Sequence, residues 1–112
     1  MTNPQLTQEV TRLHAEICSA LADPSRILIL YALADKPFTV NELANELGFS
    51  QPTTSRHLKI LREHELVTAV RQGANVEYSL SDLRLITALD LLRAILRDNF
   101  ARHASLAMVG QM

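Results

Sequence analysis

The fold of this chain is decided by residues 39–64, which read TVNELANELGFSQPTTSRHLKILREH. Thr39 and Glu42 have the spacing of a capping box, in which each side chain accepts a hydrogen bond from the other residue's backbone N–H. Gly48 can end the helix that follows, because glycine adopts the left-handed conformation at little cost. Ser50 then caps a second helix. Two helices joined by a turn that contains glycine predict a helix-turn-helix.

The second helix of this motif has two chemically different faces. At about 100° per residue, one face is largely apolar and is expected to pack on the core. It holds Thr54, His57, Leu58 and Leu61. The opposite face holds Ser55, Arg56 and Lys59, flanked by Gln51, Thr53 and Arg62. Small polar groups permit close approach to a DNA major groove, where arginine and glutamine can hydrogen-bond base edges, so this helix is predicted to recognise DNA.

The charge distribution favours the same interpretation. The chain of 112 residues has 11 Lys and Arg against 12 Asp and Glu, and this net charge of −1 excludes a nucleic-acid binder that is basic throughout. Residues 50–75 nevertheless carry four cations and two acids, whereas residues 1–49 carry three cations and six acids. Considered by themselves, these cations are also typical of an ordinary solvent-exposed helix face. Their place in a capped helix-turn-helix favours DNA binding instead.

The hydrophobic pattern changes from helical to strand-like after this helix. Residues 66–71 and 76–80 are rich in β-branched side chains, and Gln72-Gly73-Ala74-Asn75 between them is typical of a hairpin turn. We therefore predict a wing at about residues 66–80. Arg71 would lie near its tip, where it can reach phosphate or the adjacent minor groove.

Three further helices are predicted around this motif. The first, at about residues 5–21, carries an apolar stripe at intervals of three and four. The second, at about 24–34, is capped by Asp23 and is apolar nearly all round, including Leu28, so it is expected to be the central buried helix. The last, at about 82–103, has more apolar residues than one core-facing stripe requires, and a frayed tail is expected from residue 105 onward. The stripe of the first helix consists of Leu6, Val10, Leu13, Ile17 and Leu21.

Together these elements predict a mainly α-helical fold with a small β-hairpin, a winged helix-turn-helix in the order α-α-α-α-β-β-α. We expect a single domain over residues 1–112, since 47% apolar and 21% charged residues are typical of globular chains. A chain this short buries only about 60–70% of its unfolded surface, which favours a partner subunit. No signal-peptide pattern opens the sequence, and its longest apolar run is residues 27–34. A cytoplasmic protein that does not enter the membrane is therefore predicted.

The chain resembles the ArsR/SmtB family of transcriptional regulators in three segments. They are LADPSRILIL at residues 21–30, ELA at residues 42–44 and SQPTTSRHLKIL at residues 50–61. The resemblance covers about residues 14–98 and implies a homodimeric repressor that leaves its operator when an effector binds. It also implies a dimer interface built from the first and last helices, which would cover the surplus apolar face. Two recognition helices about 34 Å apart would then select an imperfect palindrome.

Two metal sites are well known in this family, and this sequence lacks ligands for both. The arsenic-type site needs a Cys-x-Cys pair in the first helix of the helix-turn-helix, but residues 40–46 contain no cysteine. The zinc-type site needs Asp-x-His on the last helix. Asp82 matches its first position, but Arg84 stands in place of the histidine. We therefore predict neither site and no cofactor, and the effector stays unidentified.

The single cysteine, Cys18, excludes an intrachain disulfide and leaves three interpretations open. His14 and Cys18 are spaced i, i+4 and can offer an imidazole and a thiolate to Zn²⁺ or Cu⁺, completed in a dimer by Asp98 or His103. Cys18 could instead be a redox-active thiol. A small packed side chain is the favoured interpretation.

The other polar residues are expected to have structural roles. His57 is predicted to be a hydrogen-bonded core histidine, and Asp23 with Arg26 a helix cap and ion pair. We find no nucleophile–base pair, glycine-rich phosphate loop or paired carboxylates, so we predict no catalytic residue and no enzyme.

The sequence therefore predicts a sequence-specific DNA-binding transcriptional regulator, a repressor released by an unidentified effector. Its expected partners are double-stranded DNA and a second copy of the chain. The alternative is a winged-helix protein-interaction module without specific DNA binding. The residues expected to contact DNA are Ser50, Gln51, Thr53, Ser55, Arg56, Lys59 and Arg71.

Overall fold

A computed structural model describes residues 3–110 of the chain, with side chains described for residues 3–104. Two compact units divide the chain, one ending at Asp82 and the other beginning at Leu83. The helices are α1 (Pro4–Leu13), α2 (Pro24–Asp35), α3 (Val40–Leu47), α4 (Gln51–Glu63) and α5 (Arg84–Gly110). The strands are β1 (Phe38–Thr39), β2 (Val67–Gln72) and β3 (Asn75–Leu80), and a π-helical turn (His14–Cys18) follows α1. The predicted mainly helical, winged helix-turn-helix fold is confirmed.

The predicted capping residues begin the helices of the first unit. Asp23 Oδ1 accepts a hydrogen bond from the Ser25 N–H at 2.8 Å. Thr39 Oγ1 accepts from the Glu42 N–H at 3.3 Å while Glu42 Oε1 accepts from the Thr39 N–H at 2.9 Å, which completes the capping box. The bond from the Thr39 N–H also lowers the pKa of Glu42. Gly48, at φ +71°, ends α3 in the predicted left-handed conformation.

The end of α4 forms a Schellman motif that lacks the usual glycine. The Leu66 N–H donates to Leu61 O at 2.9 Å, and the Glu65 N–H donates to Arg62 O at 3.0 Å. This pattern requires a left-handed backbone conformation at Glu65, which connects α4 to the wing. Glu65 has this conformation, with φ +61°. Since Glu65 carries a Cβ, it holds this conformation at a cost that glycine would avoid.

The core of the first unit lies where α2, α3, α4 and the base of the hairpin pack together. Its buried apolar residues are Ala20, Ile29, Leu30, Leu33, Phe38, Leu43, Ala44, Leu58, Leu61, Leu66 and Val67. The prediction that α2 is buried nearly all round is wrong on one side, because Leu28 is 50% exposed. The helix is central, and apart from its first and last residues every position other than Leu28 is buried or half-buried.

The wing is a three-stranded antiparallel sheet at its base, in the order β1-β3-β2. Strand β1 pairs with β3 through Phe38↔Tyr78 and Thr39↔Glu77. The predicted hairpin is confirmed, with Gln72 opposite Asn75 and Gly73 at φ +62° in the two-residue turn. β1 was not predicted, because two residues are too few to show a strand period.

The first helix is interrupted where the sequence predicts one continuous helix over residues 5–21. α1 ends at Leu13, and the Ser19 N–H donates to His14 O at 2.9 Å, five residues back, which defines the π-helical turn. Leu21 therefore lies outside the helix, in the turn at residues 19–21 that follows the π-helical turn. Apolar spacings of three and four residues do not reveal such a widened turn.

The last helix is longer than the prediction of residues 82–103. α5 begins at Arg84 and its backbone stays helical to Gly110, so the expected frayed tail is wrong for residues 105–110. Residues 111–112 of that tail lie outside the described residues. Residues 101–109 contain neither proline nor glycine, which explains why the helix continues. Within the described residues, no helix combines the length and apolar character that crossing a bilayer requires.

Glu65→Gly is expected to raise the free energy of unfolding by about 1 kcal/mol, because glycine adopts the left-handed conformation without strain. Urea unfolding followed by circular dichroism measures the change. Glu65→Ala is the matched control, since it removes the same carboxylate but keeps the Cβ. A gain of equal size in both variants would show that the carboxylate, and not the backbone, is responsible.

Candidate nucleic-acid interface

One side of α4 is buried as predicted. Thr54, Leu58 and Leu61 are fully buried and His57 is 6% exposed. The Thr54 hydroxyl donates to Ser50 O at 2.9 Å, so this polar group is satisfied inside the helix. Burial along this side determines which residues the helix presents to solvent.

The opposite side of α4 is exposed and carries three positive charges. We call Ser55, Arg56, Lys59 and Arg62 the cationic face, and all four are exposed. Gln51, at the start of the helix, is exposed as well. Within residues 3–104, neither Arg56 nor Lys59 forms an ion pair. Their charges are therefore available to an anionic partner.

The N-terminal end of α4 holds two of the predicted contact residues in a shared hydrogen-bond arrangement. Ser50 Oγ accepts from the Thr53 N–H at 3.2 Å and donates to Thr53 Oγ1 at 2.8 Å. Ser50 is exposed, whereas Thr53 is half-buried. Both hydroxyls thus stabilise the helix start, and Thr53 offers less surface than the sequence pattern suggests.

Arg71 lies exposed near the tip of the wing, opposite Val76. Side chains alternate along a strand, so Arg71 projects from the same face of β2 as Val67 and Ala69. Val67 is 2% exposed, which makes this the face whose base is buried. Gln72 projects from the other face. Arg71 therefore carries its positive charge on the same face of β2 that is buried against the core at Val67.

A partly buried polar cluster lies where Arg26 at the start of α2 meets His57 of α4. Arg26 Nη1 lies 3.4 Å from His57 Nδ1 and 3.7 Å from Asp23 Oδ2. Arg26 Nε donates to Ala20 O at 2.6 Å. The structural roles predicted for Asp23, Arg26 and His57 are confirmed by these contacts. The sequence did not indicate that one guanidinium joins all of them.

The local environment shifts the pKa of two members of this cluster. The hydrogen bond from the Ser25 N–H is the main cause that lowers the pKa of Asp23, and the neighbouring His57 and Arg26 side chains act in the same direction. Burial lowers the pKa of His57, and the nearby charges of Arg26 and Arg56 act in the same direction, while Asp23 opposes them. His57 is therefore held neutral, with Nδ1 free to accept a hydrogen bond from Arg26.

His14 and Cys18 both lie in the π-helical turn, and both are exposed. The favoured interpretation of Cys18 as a packed, buried side chain is therefore wrong for this chain. Among the residues whose side chains are described, no three His, Cys, Asp or Glu side chains are grouped so as to hold a metal ion. Binding of a metal by His14 and Cys18 stays a prediction.

Comparison with known proteins finds similarity across the whole helix-turn-helix. Residues 23–69 match the family described as bacterial regulatory protein, arsR family. The transcriptional repressor SmtB homolog of Synechocystis is 47% identical over 68 residues, which cover 61% of this chain and 52% of that protein. The HTH-type transcriptional regulator CmtR of Mycobacterium tuberculosis is 41% identical over 83 residues, covering 73% of this chain and 70% of that protein.

The similarity extends to solved structures. The crystal structure of NolR from Sinorhizobium fredii has a TM-score of 0.72 and 35% identity, covering 85% of this chain and 94% of that one. The chain spans only about half to two thirds of the length of the first curated relatives that it matches.

The lowered pKa of His57 predicts how stability depends on pH. The unfolded chain binds this proton more readily than the folded chain, so the free energy of unfolding falls as the pH drops below the ordinary His pKa of 6.5. The fall ends once the pH is below the pKa of the folded chain. Urea unfolding at about pH 7.5 and about pH 5.5 brackets the start of this range.

His57→Gln is the matched variant, because it keeps a neutral acceptor but cannot titrate. It is expected to lose less stability than the wild type over the same pH interval. The remaining histidines are present in both proteins, and the pKa of Asp23 is lowered from 3.8, outside this interval. Equal losses in the two proteins would contradict the assignment.

Proposed function

Because this chain belongs to the ArsR family of bacterial regulatory proteins, we propose that it is a sequence-specific DNA-binding transcriptional regulator that represses its target genes. The observation that carries the proposal is the exposed cationic face of α4, placed on the second helix of a helix-turn-helix. Relatives of the chain are named as transcriptional repressors and regulators. No catalytic role is proposed for any residue.

In this proposal α4 enters the major groove of duplex DNA with its cationic face toward the bases. Arg56 has the donor geometry to contact a guanine edge with two hydrogen bonds, whereas Lys59 acts as a point charge on phosphate. Gln51 and Ser55 are exposed on the same helix and add polar contacts. Ser50 and Thr53 cap the N-terminus, whose free N–H groups favour a phosphate. Arg71 follows the backbone or the adjacent minor groove from the wing.

We further propose that the chain acts as a homodimer through α1 and α5. Three apolar residues of α1, Leu6, Val10 and Leu13, are 43%, 52% and 48% exposed. α5 is more exposed still, with Leu91, Leu92, Ile95, Leu96 and Phe100 each at least 56% exposed, and Leu83 just before it is 67% exposed. Apolar surface of this extent on a small chain favours burial against a second copy. A two-fold dimer would place its two α4 helices about 34 Å apart, on an imperfect palindrome.

Release from DNA would then be a change in dimer geometry, since only one spacing of the two α4 helices fits the operator. An effector that binds the released geometry more tightly shifts the population toward it. The identity of that effector does not enter the proposal. The regulator would act in the cytoplasm, where it meets its DNA.

The test is fluorescence anisotropy of the purified full chain on labelled duplex DNA from upstream of its own gene. A scrambled duplex and two salt concentrations complete the titration. Tight binding that prefers the native duplex and weakens with salt is expected, because phosphate contacts release counterions. Weak binding that ignores both sequence and salt would contradict the proposal and favour a protein-interaction module.

Arg56→Ala is expected to weaken binding to the native duplex by about 1–3 kcal/mol and to relax base preference, because it removes a contact with a base edge. Lys59→Ala should weaken native and scrambled duplexes alike and reduce the salt slope by about one. Lys36→Ala, which removes an exposed lysine that belongs to neither α1, α4, α5 nor the hairpin, is the charge-matched control. Losses of equal size in all three variants would show a general charge effect without a specific face.

A further inference from the structure

Arg26 contacts three separate parts of the first unit with a single side chain that is 13% exposed. Its Nε and Nη2 atoms donate to the carbonyl oxygens of Ala20 and Ser19, at 2.6 Å and 3.4 Å, just after the π-helical turn. Its Nη1 atom reaches His57 Nδ1 on α4 at 3.4 Å and Asp23 Oδ2 at 3.7 Å. The guanidinium thus joins the end of the first helical segment, the start of α2 and α4.

His57 occupies a particular position on α4. At about 100° per residue, Leu61 and Leu58 lie within about 40° of Thr54, while His57 lies about 60° away, at one edge of the buried arc. Apolar contacts along the middle of an arc hold a helix against the core through close packing, but the hydrophobic effect itself is not directional. A hydrogen bond at the edge of the arc resists rotation of the helix about its own axis.

The residues proposed to contact DNA lie on the same helix but away from this edge: at about 100° per residue, Arg56 is about 100° from His57 and Lys59 about 160° from it. Arg56 precedes His57 in the chain, and Lys59 lies on the same helix two residues later, so rotation of α4 moves both together. His57 itself is buried and cannot touch DNA. An effect of His57 on DNA binding by the folded chain is therefore indirect, and the orientation of α4 is the route that this contact offers.

We propose that Arg26 is a positioning residue for DNA recognition, which fixes the rotation of α4 by holding His57 against the carbonyl groups of Ser19 and Ala20. The inference rests on the proposed DNA-binding function and adds to it a link between the first helical segment and the cationic face. A change in the conformation of the turn at residues 19–21 would alter the orientation of α4 through this guanidinium.

The link requires a neutral His57. An imidazolium would turn Nδ1 from an acceptor into a donor aimed at a second donor, and would place two positive charges about 3.4 Å apart. The charged groups that act on His57 are Asp23 and Arg26 at the start of α2 and Arg56 on α4 itself. Among the described residues, none acts on it from α3 or from β2. Protonation is therefore opposed first by burial and then by two cations, and it is favoured by one carboxylate.

Two substitutions at His57 separate the hydrogen bond from the packing. His57→Gln keeps an acceptor for Arg26, whereas His57→Leu fills the buried site with an apolar side chain that offers none. Arg26→Lys keeps the charge near Asp23 but cannot reach both carbonyl groups and His57 with one planar fork. Each full-length variant is titrated against the duplex from upstream of the gene, and its urea unfolding curve reports the folded fraction.

At about pH 7.5 we expect His57→Gln to bind like the wild type, and His57→Leu and Arg26→Lys to bind about tenfold more weakly while folded, a size typical of coupling through a packed network. As the pH falls from 6.5 toward the lowered pKa that His57 has in the folded chain, the affinity of the wild type should fall relative to that of His57→Gln. A residue with only a structural role would change the unfolding curve and leave the affinity of the folded protein and its pH profile unchanged.

The outcomes distinguish the two proposals. Equal affinities of folded His57→Leu and His57→Gln would overturn the positioning role even if Arg26→Lys failed to fold. Parallel pH profiles of the wild type and His57→Gln would overturn it as well. A wild type that shows no salt-sensitive preference for the native duplex would instead overturn the proposed DNA-binding function.

Discussion

The burial of one side of α4 is the constraint on which the rest of the structure depends. Thr54, Leu58 and Leu61 are fully buried, and this arrangement leaves the opposite side of a 13-residue helix to solvent. Because side chains follow the helical repeat, the same burial that stabilises the core also determines where Arg56 and Lys59 lie. Stability and recognition are therefore properties of the same helix. A substitution that disturbs its buried side disturbs the exposed side too.

Much of the fold could be predicted because its signals are local. The capping box at Thr39, the glycine turn at Gly48 and the caps at Asp23 and Ser50 each involve residues within a few positions, and all four were confirmed. The features that were missed have no local pattern. β1 is two residues long, and the π-helical turn follows the same apolar spacing as an α-helix. The left-handed Glu65 lacks the glycine that would have indicated it.

In the candidate site, too, the features with a local sequence signal were predicted and those that depend on long-range contacts were missed. Helical periodicity alone placed Arg56 and Lys59 outside and His57 inside, since orientation within one helix depends only on spacing. The contact between Arg26 and His57 joins residues 31 positions apart, and no single-sequence pattern reveals which buried histidine meets which arginine. Exposure of Cys18 was missed for a related reason, because its environment depends on where the first helix ends. Long-range packing decides both.

The wing changes character along its length. β1 supports β3 only at Tyr78 and Glu77, so beyond these positions the hairpin continues as a ribbon of two strands whose residues 71–76 are all exposed. Such a ribbon is only marginally stable in water, so its amide protons should exchange quickly with solvent while those at the base stay protected. The tip can therefore bend to follow local variation in the width of a groove. Ordering it on contact has an entropic cost that a stiffer wing would not have.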